Sequence, residues 1–316
     1  MASPPINPAV YRRRRVVAVL LGIAVLAVVA LLLRGGGDDH RTASSDGPKA
    51  EAPAPPQLPG GGRSLLPDRR IVAFYGAPQA EELGQLGIGT PASAARRLAR
   101  QARAYRRPDR PVLPAMELIA VVAAAHPEEG GRYNTRVQDA VIERYLRAAR
   151  RAKALLILDI QPGRSDFYTE TVRLERWLKE PDVGLAIDPE WRMGPGEVPG
   201  NVIGSVEARE VNATSAWLAQ LVERHDLPEK LFLIHQFTDD MIDDTRLQER
   251  PGLAMVLNAD GFGGPAIKKG KYRAFTRSPR PFFHKGFKLF YREDTDLMSP
   301  REVLRLRPPP DVVIYE

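Results

Sequence analysis

VGLAIDPEW, Val183 to Trp191, is an apolar run that ends in two carboxylates only two positions apart. Side chains alternate between the two faces of an extended strand. Val183, Leu185 and Ile187 therefore share one face, and Gly184, Ala186, Asp188 and Glu190 share the other. The bulky aliphatics can pack on helices while both acids point the opposite way. Pro189 between the acids has no N–H to give to a sheet ladder, which is tolerated at a strand end.

Other stretches behave alike. In ALLILDIQ, Ala154 to Gln161, Leu156, Leu158 and Ile160 separate by parity from Ile157, Asp159 and Gln161. Further candidate strands are IVAFYG (Ile71 to Gly76), AMELIAVVA (Ala115 to Ala123), LFLIHQF (Leu231 to Phe237) and LAMVLNAD (Leu253 to Asp260). FKLFYRE (Phe287 to Glu293) and DVVIYE (Asp311 to Glu316) complete a set of eight. Between them lie helical stretches such as RVQDAVIERYLRAARRAK and ATSAWLAQLVERH, whose apolar residues recur at three- and four-residue spacing. Thr90 before Pro91 predicts an N-cap, and Thr135 with Gln138 and Ser299 with Glu302 have capping-box spacing.

Strands rich in consecutive aliphatics and separated by helices predict a parallel sheet covered on its faces, an α/β protein. Eight units over residues 71–316 predict a (β/α)8 TIM-like barrel. A doubly wound open sheet has the same alternation, but FYGAPQAEELGQLG after the first strand is not the G-x-G-x-x-G of a dinucleotide fold. With no helix after the eighth strand, one outer face is expected to be thinly covered.

In a barrel, function gathers where the strands end and the following loops meet. Polar residues do fall late in the strands: Asp159 and Gln161, Asp188 and Glu190, His235 and Gln236, Asn258 and Asp260, then Tyr291 to Asp294. Carboxylates crowded into a partly apolar mouth raise one another's pKa. One then holds a proton as general acid, while a second, ionised one serves as base, nucleophile or electrostatic stabiliser. His235 shares parity with Leu231 and Leu233, which suits a structural histidine. Glu117, early in the second strand, needs a buried partner such as an Arg or Lys. Asp159, Asp188, Asp260 and His235 are the side chains from which a metal site could be assembled, but no compact ligand motif appears, and neither metal nor cofactor is expected. In NADGFGGPAIKKGKY, Asn258 to Tyr272, the glycine turn could offer backbone N–H groups to an anion or a sugar hydroxyl, with Lys268, Lys269 and Lys271 as solvated charge.

A barrel whose fourth strand ends in D-x-E resembles the chitinase-like and barrel-type muramidase glycoside hydrolases. The resemblance implies Glu190 as general acid and Asp188 as its electrostatic partner. Asp159, Gln161, Gln236, Asn258 and Asp260 would line the site, and Tyr75, Trp191, Tyr168 and Tyr291 could stack on sugar rings. The longer chitinase signature carries further acids where this chain has Ala186 and Val183. An alternative pairing sets Glu190 against Glu293 on the seventh strand.

The N-terminal quarter sets the expected location. Arg12 to Arg15 precede VVAVLLGIAVLAVVALLL, Val16 to Leu33, which has neither charge nor proline. At about 1.5 Å per residue this run approaches the ~30 Å of a bilayer core. The arginines predict a cytoplasmic segment over residues 1–15, a single transmembrane helix over 16–33 and an exported C-terminal bulk at the cell membrane. Residues 34–70, rich in Gly, Pro, Ser and charge, read as a flexible linker. Absence of cysteine excludes disulfides, thiolate-bound zinc, a Cys nucleophile and a lipoprotein cysteine. The net charge of +7 is concentrated in RRRR and in Arg-rich helices, a pattern of solvated faces that argues against nucleic acid, and attraction to an anionic envelope polymer or a membrane surface fits the same charge equally well. Arg- and Ala-rich usage matches a high-GC bacterium. The expected function is an envelope-facing glycoside hydrolase acting on cell-wall or extracellular polysaccharide, the alternative a non-catalytic barrel that binds envelope glycan or a protein partner.

Overall fold

A computed structural model describes residues 54–277 and 281–316. Nine strands form, β1 (Arg70–Gly76), β2 (Val112–Ala123), β3 (Asn134–Arg136), β4 (Leu155–Ile160), β5 (Val183–Ile187), β6 (Lys230–Gln236), β7 (Leu253–Ala259), β8 (His284–Leu289) and β9 (Val312–Tyr315). Eight of them pair in parallel in the order β1-β2-β4-β5-β6-β7-β8-β9, and β9 returns to β1, so the sheet closes into a barrel. The ninth, β3, is an antiparallel addition to the end of β2. Helices α1 (Pro91–Arg103), α2 (Asp139–Arg151), α3 (Phe167–Arg173), α4 (Glu175–Leu178), α5 (Ala208–Arg224), α6 (Pro265–Phe275) and α7 (Pro300–Val303) occupy the crossovers. The β6–β7 crossover carries only a short 3-10 turn at Asp244–Arg246.

The alternation along the strands divides the core in two. Leu156, Leu158, Ile160, Val183, Leu185 and Ile187 belong to the outer layer beneath the helices, with Leu98, Ile142, Phe167 and Leu218. Ile71, Leu113, Leu155, Ile157, Ala186, Leu231, Leu233 and Val256 fill the barrel interior. Gly184 belongs to this inner face because of space, since a Cβ there would sit 3.1 Å from the Cβ of Leu231.

Helix starts follow local chemistry where tertiary pairing permits. Thr90 and Ser93 form a reciprocal capping box with Pro91 at the first helical position, and Ser299 and Glu302 form another. The expected box at Thr135 and Gln138 does not form. Thr135 pairs with Val122 in the β2–β3 ladder, and α2 begins after Gln138 without a side-chain cap. The hairpin gains backbone hydrogen bonds that outweigh one capping contact. Arg136 then holds buried Glu170 of α3 through two hydrogen bonds of 2.8 and 2.9 Å.

Three expectations shift. The folded chain starts before Ile71: Leu58, Leu65 and Leu66 are buried in the inner cluster, and the backbone N–H groups of Leu65 and Leu66 donate to Glu229, so residues 54–69 pack with the barrel rather than belonging to a linker. The outer face of β9 is not thinly covered, because Tyr105 and Tyr291 pack around Tyr315, and Val313 and Tyr315 are buried. The seventh barrel strand ends at Leu289, leaving Tyr291–Asp294 in a turn closed by Asp294, whose carboxylate accepts from the Phe290 N–H at 2.9 Å. Among the described residues no helix is long and apolar enough to cross a membrane. The run Val16 to Leu33 lies outside the described residues.

Candidate functional site

Above the apolar layers of the barrel, each of the eight barrel strands sends a polar side chain inward, seven of them from at or near the strand's C-terminal end and Glu117 from the middle of the long β2. They are Tyr75 (β1), Glu117 (β2), Asp159 (β4), Asp188 (just after β5), His235 (β6), Asn258 (β7), Lys288 (β8) and Glu316 (just after β9), all buried. Asp260 and Gln161 sit one step further along their strands. These side chains share inner-face parity with residues of the barrel interior, so the alternation that fills the core also builds the site.

Tyr75 is a hub on one side. Its hydroxyl lies 2.9 Å from Asp188 Oδ2 and 3.1 Å from Asp159 Oδ2, and it accepts from Gln161 Nε2 at 3.1 Å. Gln161 also donates to Asp188 Oδ2 at 3.2 Å. Lys288 Nζ stands 3.6 Å from the centre of the Tyr75 ring, so this ring is already covered by a cation. On the other side His235 is fully buried between Glu117 Oε1, 3.0 Å from Nε2, and Asp260 Oδ2, 2.9 Å from Nδ1. Asp188 Oδ1 is 3.8 Å from the same Nδ1. Lys288 joins Asp260 at 3.1 Å and Glu316 at 2.9 Å. The partner of Glu117 is thus a histidine from three strands along the barrel, not the expected Arg or Lys.

Glu190 follows in a 3-10 turn, Pro189–Trp191, and is itself 7 % exposed. Pro189 is outside the ladder, which ends at Ile187, while the Asp188 N–H still donates to Ile160. The proline therefore costs no sheet hydrogen bond.

The crowding of acids is expressed in their protonation. Burial, then the charge of Asp188, pushes the pKa of Asp159 well above the usual carboxylate range. Burial, then Asp188 and Asp260, does the same to Glu190. Tyr75 is raised by burial and by Asp159 and Asp188. Burial opposes the charged form of His235, but Asp188, Glu117 and the hydrogen bond to Asp260 outweigh it and raise its pKa well above that of a free imidazole. The site thus favours the protonated forms of Asp159, Glu190 and His235 beside further carboxylates.

Several oxygens here have no hydrogen-bond partner: Glu117 Oε2, Asp159 Oδ1, Asp188 Oδ1, Glu190 Oε2 and Asn258 Oδ1. Asn258 reaches its place because β8 carries Gly286 opposite, where a Cβ would fall 2.5 Å from its Oδ1. Two groups, Glu117 with Asp159 and His235, and Asp188 with His235 and Asp260, are spaced to hold a metal ion. In the arrangement present, Lys288 and an imidazole whose surroundings favour its charged form stand at that position.

Of the residues singled out from sequence, Tyr75, Asp159, Gln161, Asp188, Asn258 and Asp260 lie in one network, and Glu190 couples to it electrostatically. Trp191 is half-buried at the end of the 3-10 turn. Gln236 has the parity of Phe232 and Ile234 in the outer layer, and only its backbone carbonyl contacts Asp260. Tyr291 stacks on Tyr315 and donates to Gln101 of α1, outside the network. Tyr168 is exposed on α3, and Glu293 lies in the turn beyond β8. The glycine loop is held from within: Gly261 N–H donates to Asp260, Gly263 N–H to Asp294, and Lys268 Nζ donates to the carbonyls of Gly261 and Lys288. Lys271 donates to the Phe237 carbonyl at 2.8 Å. These lysines are clamps rather than solvated charge, and two of the loop's amides are already used.

Glu117, Lys288 and Glu316 were missed as site residues, and His235 was taken as structural. Their signal was parity, since Lys288 lies between Phe287 and Leu289 and Glu117 between Met116 and Leu118, each opposing its outer-layer neighbours. The fold and mouth define the class of this protein, an α/β barrel with a ring of ionisable side chains at its strand ends. No known family model matches the chain, and no curated protein matches it either.

Proposed function

We propose that this protein is a membrane-anchored, envelope-facing glycoside hydrolase-like barrel that acts on cell-wall or extracellular polysaccharide. The observation that carries this reading is Glu190, a carboxyl whose pKa is raised well above the usual range by burial and then by the nearby charges of Asp188 and Asp260, with Oε2 unpartnered. A proton held at neutral pH is what protonation of a glycosidic oxygen requires. Asp188 is held by Tyr75 and Gln161, which supports a role for it in stabilising positive charge that develops on the sugar. The anchor rests on Arg12 to Arg15 followed by Val16 to Leu33.

The full chain in nonionic detergent should release reducing sugar from cell-wall or exopolysaccharide glycan, and Glu190→Gln should lower the rate by about 10²–10⁴. Equal rates in the two proteins would remove Glu190 from the chemistry. The near-complete burial of Tyr75, Asp159, Asp188 and His235 favours a second reading, a barrel that binds glycan or a protein partner without turnover. Glycan binding that survives Glu190→Gln with no sugar released would select it.

A further inference from the structure

Outside the barrel, between α6 and the segment that follows α7, lies a cavity of about 410 Å³ lined by Lys269, Arg273, Glu302, Arg305 and Arg307 over a floor of Tyr272 and Leu306. Four cations face one acid. Among the described residues the side chains of Lys269, Arg273 and Arg305 have neither a hydrogen bond nor an ion pair. The single carboxylate is divided between two roles: Glu302 accepts from the N–H and hydroxyl of Ser299 at 2.9 and 2.7 Å in the α7 capping box, and the charges of Lys269 and Arg305 also act on it, so it offsets only part of the positive charge.

The cations are brought together by the backbone. Lys269 and Arg273 are four apart on α6 and so share a face. Arg305 and Arg307 flank Leu306, which is buried in the outer core. The floor is fixed: the Tyr272 ring packs edge-on against Phe287 with centroids 5.3 Å apart, and its hydroxyl donates to the Pro308 carbonyl at 2.9 Å. Like charges held on a rigid frame repel one another until an anion sits between them. Guanidinium groups offer forked donors that match phosphate oxygens, and a neighbouring lysine adds a point charge. The volume exceeds that of one inorganic anion and leaves room for an attached glycerol- or sugar-sized group.

We infer that this cavity is a binding site for a phosphate-bearing anion, separate from the barrel mouth and independent of any chemistry there. Lys269, Arg273, Arg305 and Arg307 hold the phosphate oxygens, and Tyr272 and Leu306 receive the apolar part of whatever carries them.

The test is isothermal titration of the full chain in nonionic detergent at fixed ionic strength, with two probes: inorganic phosphate, and glycerophosphoglycerol as a soluble phosphodiester headgroup. Saturable binding of inorganic phosphate would identify the free anion as sufficient, and binding of the diester alone would assign the source to a lipid or polymer phosphodiester. In either case the double variant Arg273→Ser, Arg305→Ser is expected to weaken binding at least tenfold. Glu302→Gln, which keeps a residue suited to the capping box, is expected to tighten it severalfold, a gain that misfolding does not produce. Equal affinity in the wild type and the double variant, no gain with Glu302→Gln, or no saturable binding of either probe would overturn the assignment.

Discussion

Glu190→Gln separates the proton held by this residue from its shape, since the two side chains are nearly isosteric. In the unfolded chain a glutamate titrates near about 4.3. In the folded protein, burial and the charges of Asp188 and Asp260 raise that value well above the usual range. Between the two values the native state holds a proton that the unfolded state has released. The stabilising contribution is fully present below the unfolded pKa and is lost as pH rises through the folded one, with a slope of about 1.4 kcal/mol per pH unit for one proton. Glutamine does not titrate, so the variant lacks this slope. As pH rises through the window, the stability of the variant relative to wild type should rise at that slope and level off once native Glu190 has ionised. Asp159 and His235 are present in both proteins, and their own pH dependence cancels to first order. Urea unfolding at pH 5, 6 and 7 measures the difference directly, with sugar release assayed on the same samples. The expected outcome is a protein that becomes relatively more stable toward neutral pH while losing activity. Parallel stability curves would refute the claim that the pKa of native Glu190 is raised.

Other perturbations test the frame around it. Tyr75→Phe removes a hydroxyl in contact with Asp159, Asp188 and Gln161 and should cost about 1–3 kcal/mol in urea unfolding; a loss under ~0.5 kcal/mol would mean the hub is not formed. Leu65→Ala, in the segment that closes the inner core, should cost about 2–5 kcal/mol, and a near-neutral result would place residues 54–69 off the barrel. Lys288→Met leaves Asp260 and Glu316 without their buried lysine, with an expected loss of about 3–5 kcal/mol in urea unfolding at neutral pH; a loss under ~1 kcal/mol would mean the lysine does not hold the two acids.

Much of the barrel was legible in the sequence because its signal is local. Val183, Leu185 and Ile187 against Gly184, Ala186 and Asp188 declare two faces within one strand, and the structure puts those faces in the outer and inner layers. The same parity brought Asp159, Gln161, Asn258 and Asp260 to one end of the barrel. It failed where a strand stopped earlier than its apolar run, as at Leu289, and so misplaced Tyr291 and Glu293. Gln236 was drawn in by its position at a strand end, although its parity with Phe232 and Ile234 turns it outward. Composition misjudged residues 54–69, where three leucines among Pro and Gly suffice to close the bottom of a barrel.

By itself, the sequence determined the strands, their faces, the helix caps at Thr90 and Ser299 and the end of the barrel at which polar groups collect. These depend on residues a few positions apart. Only the tertiary structure decided which polar groups meet. Glu117 and His235 are 118 positions apart, and Tyr75 and Asp188 are 113 apart, and nothing in either local stretch names the partner. Closure of β9 on β1 sets those distances, and burial in the closed mouth raises the carboxyl pKa values. Protonation at this site is a property of the assembled barrel, because desolvation and mutual repulsion arise only once strands distant in sequence surround the same small volume.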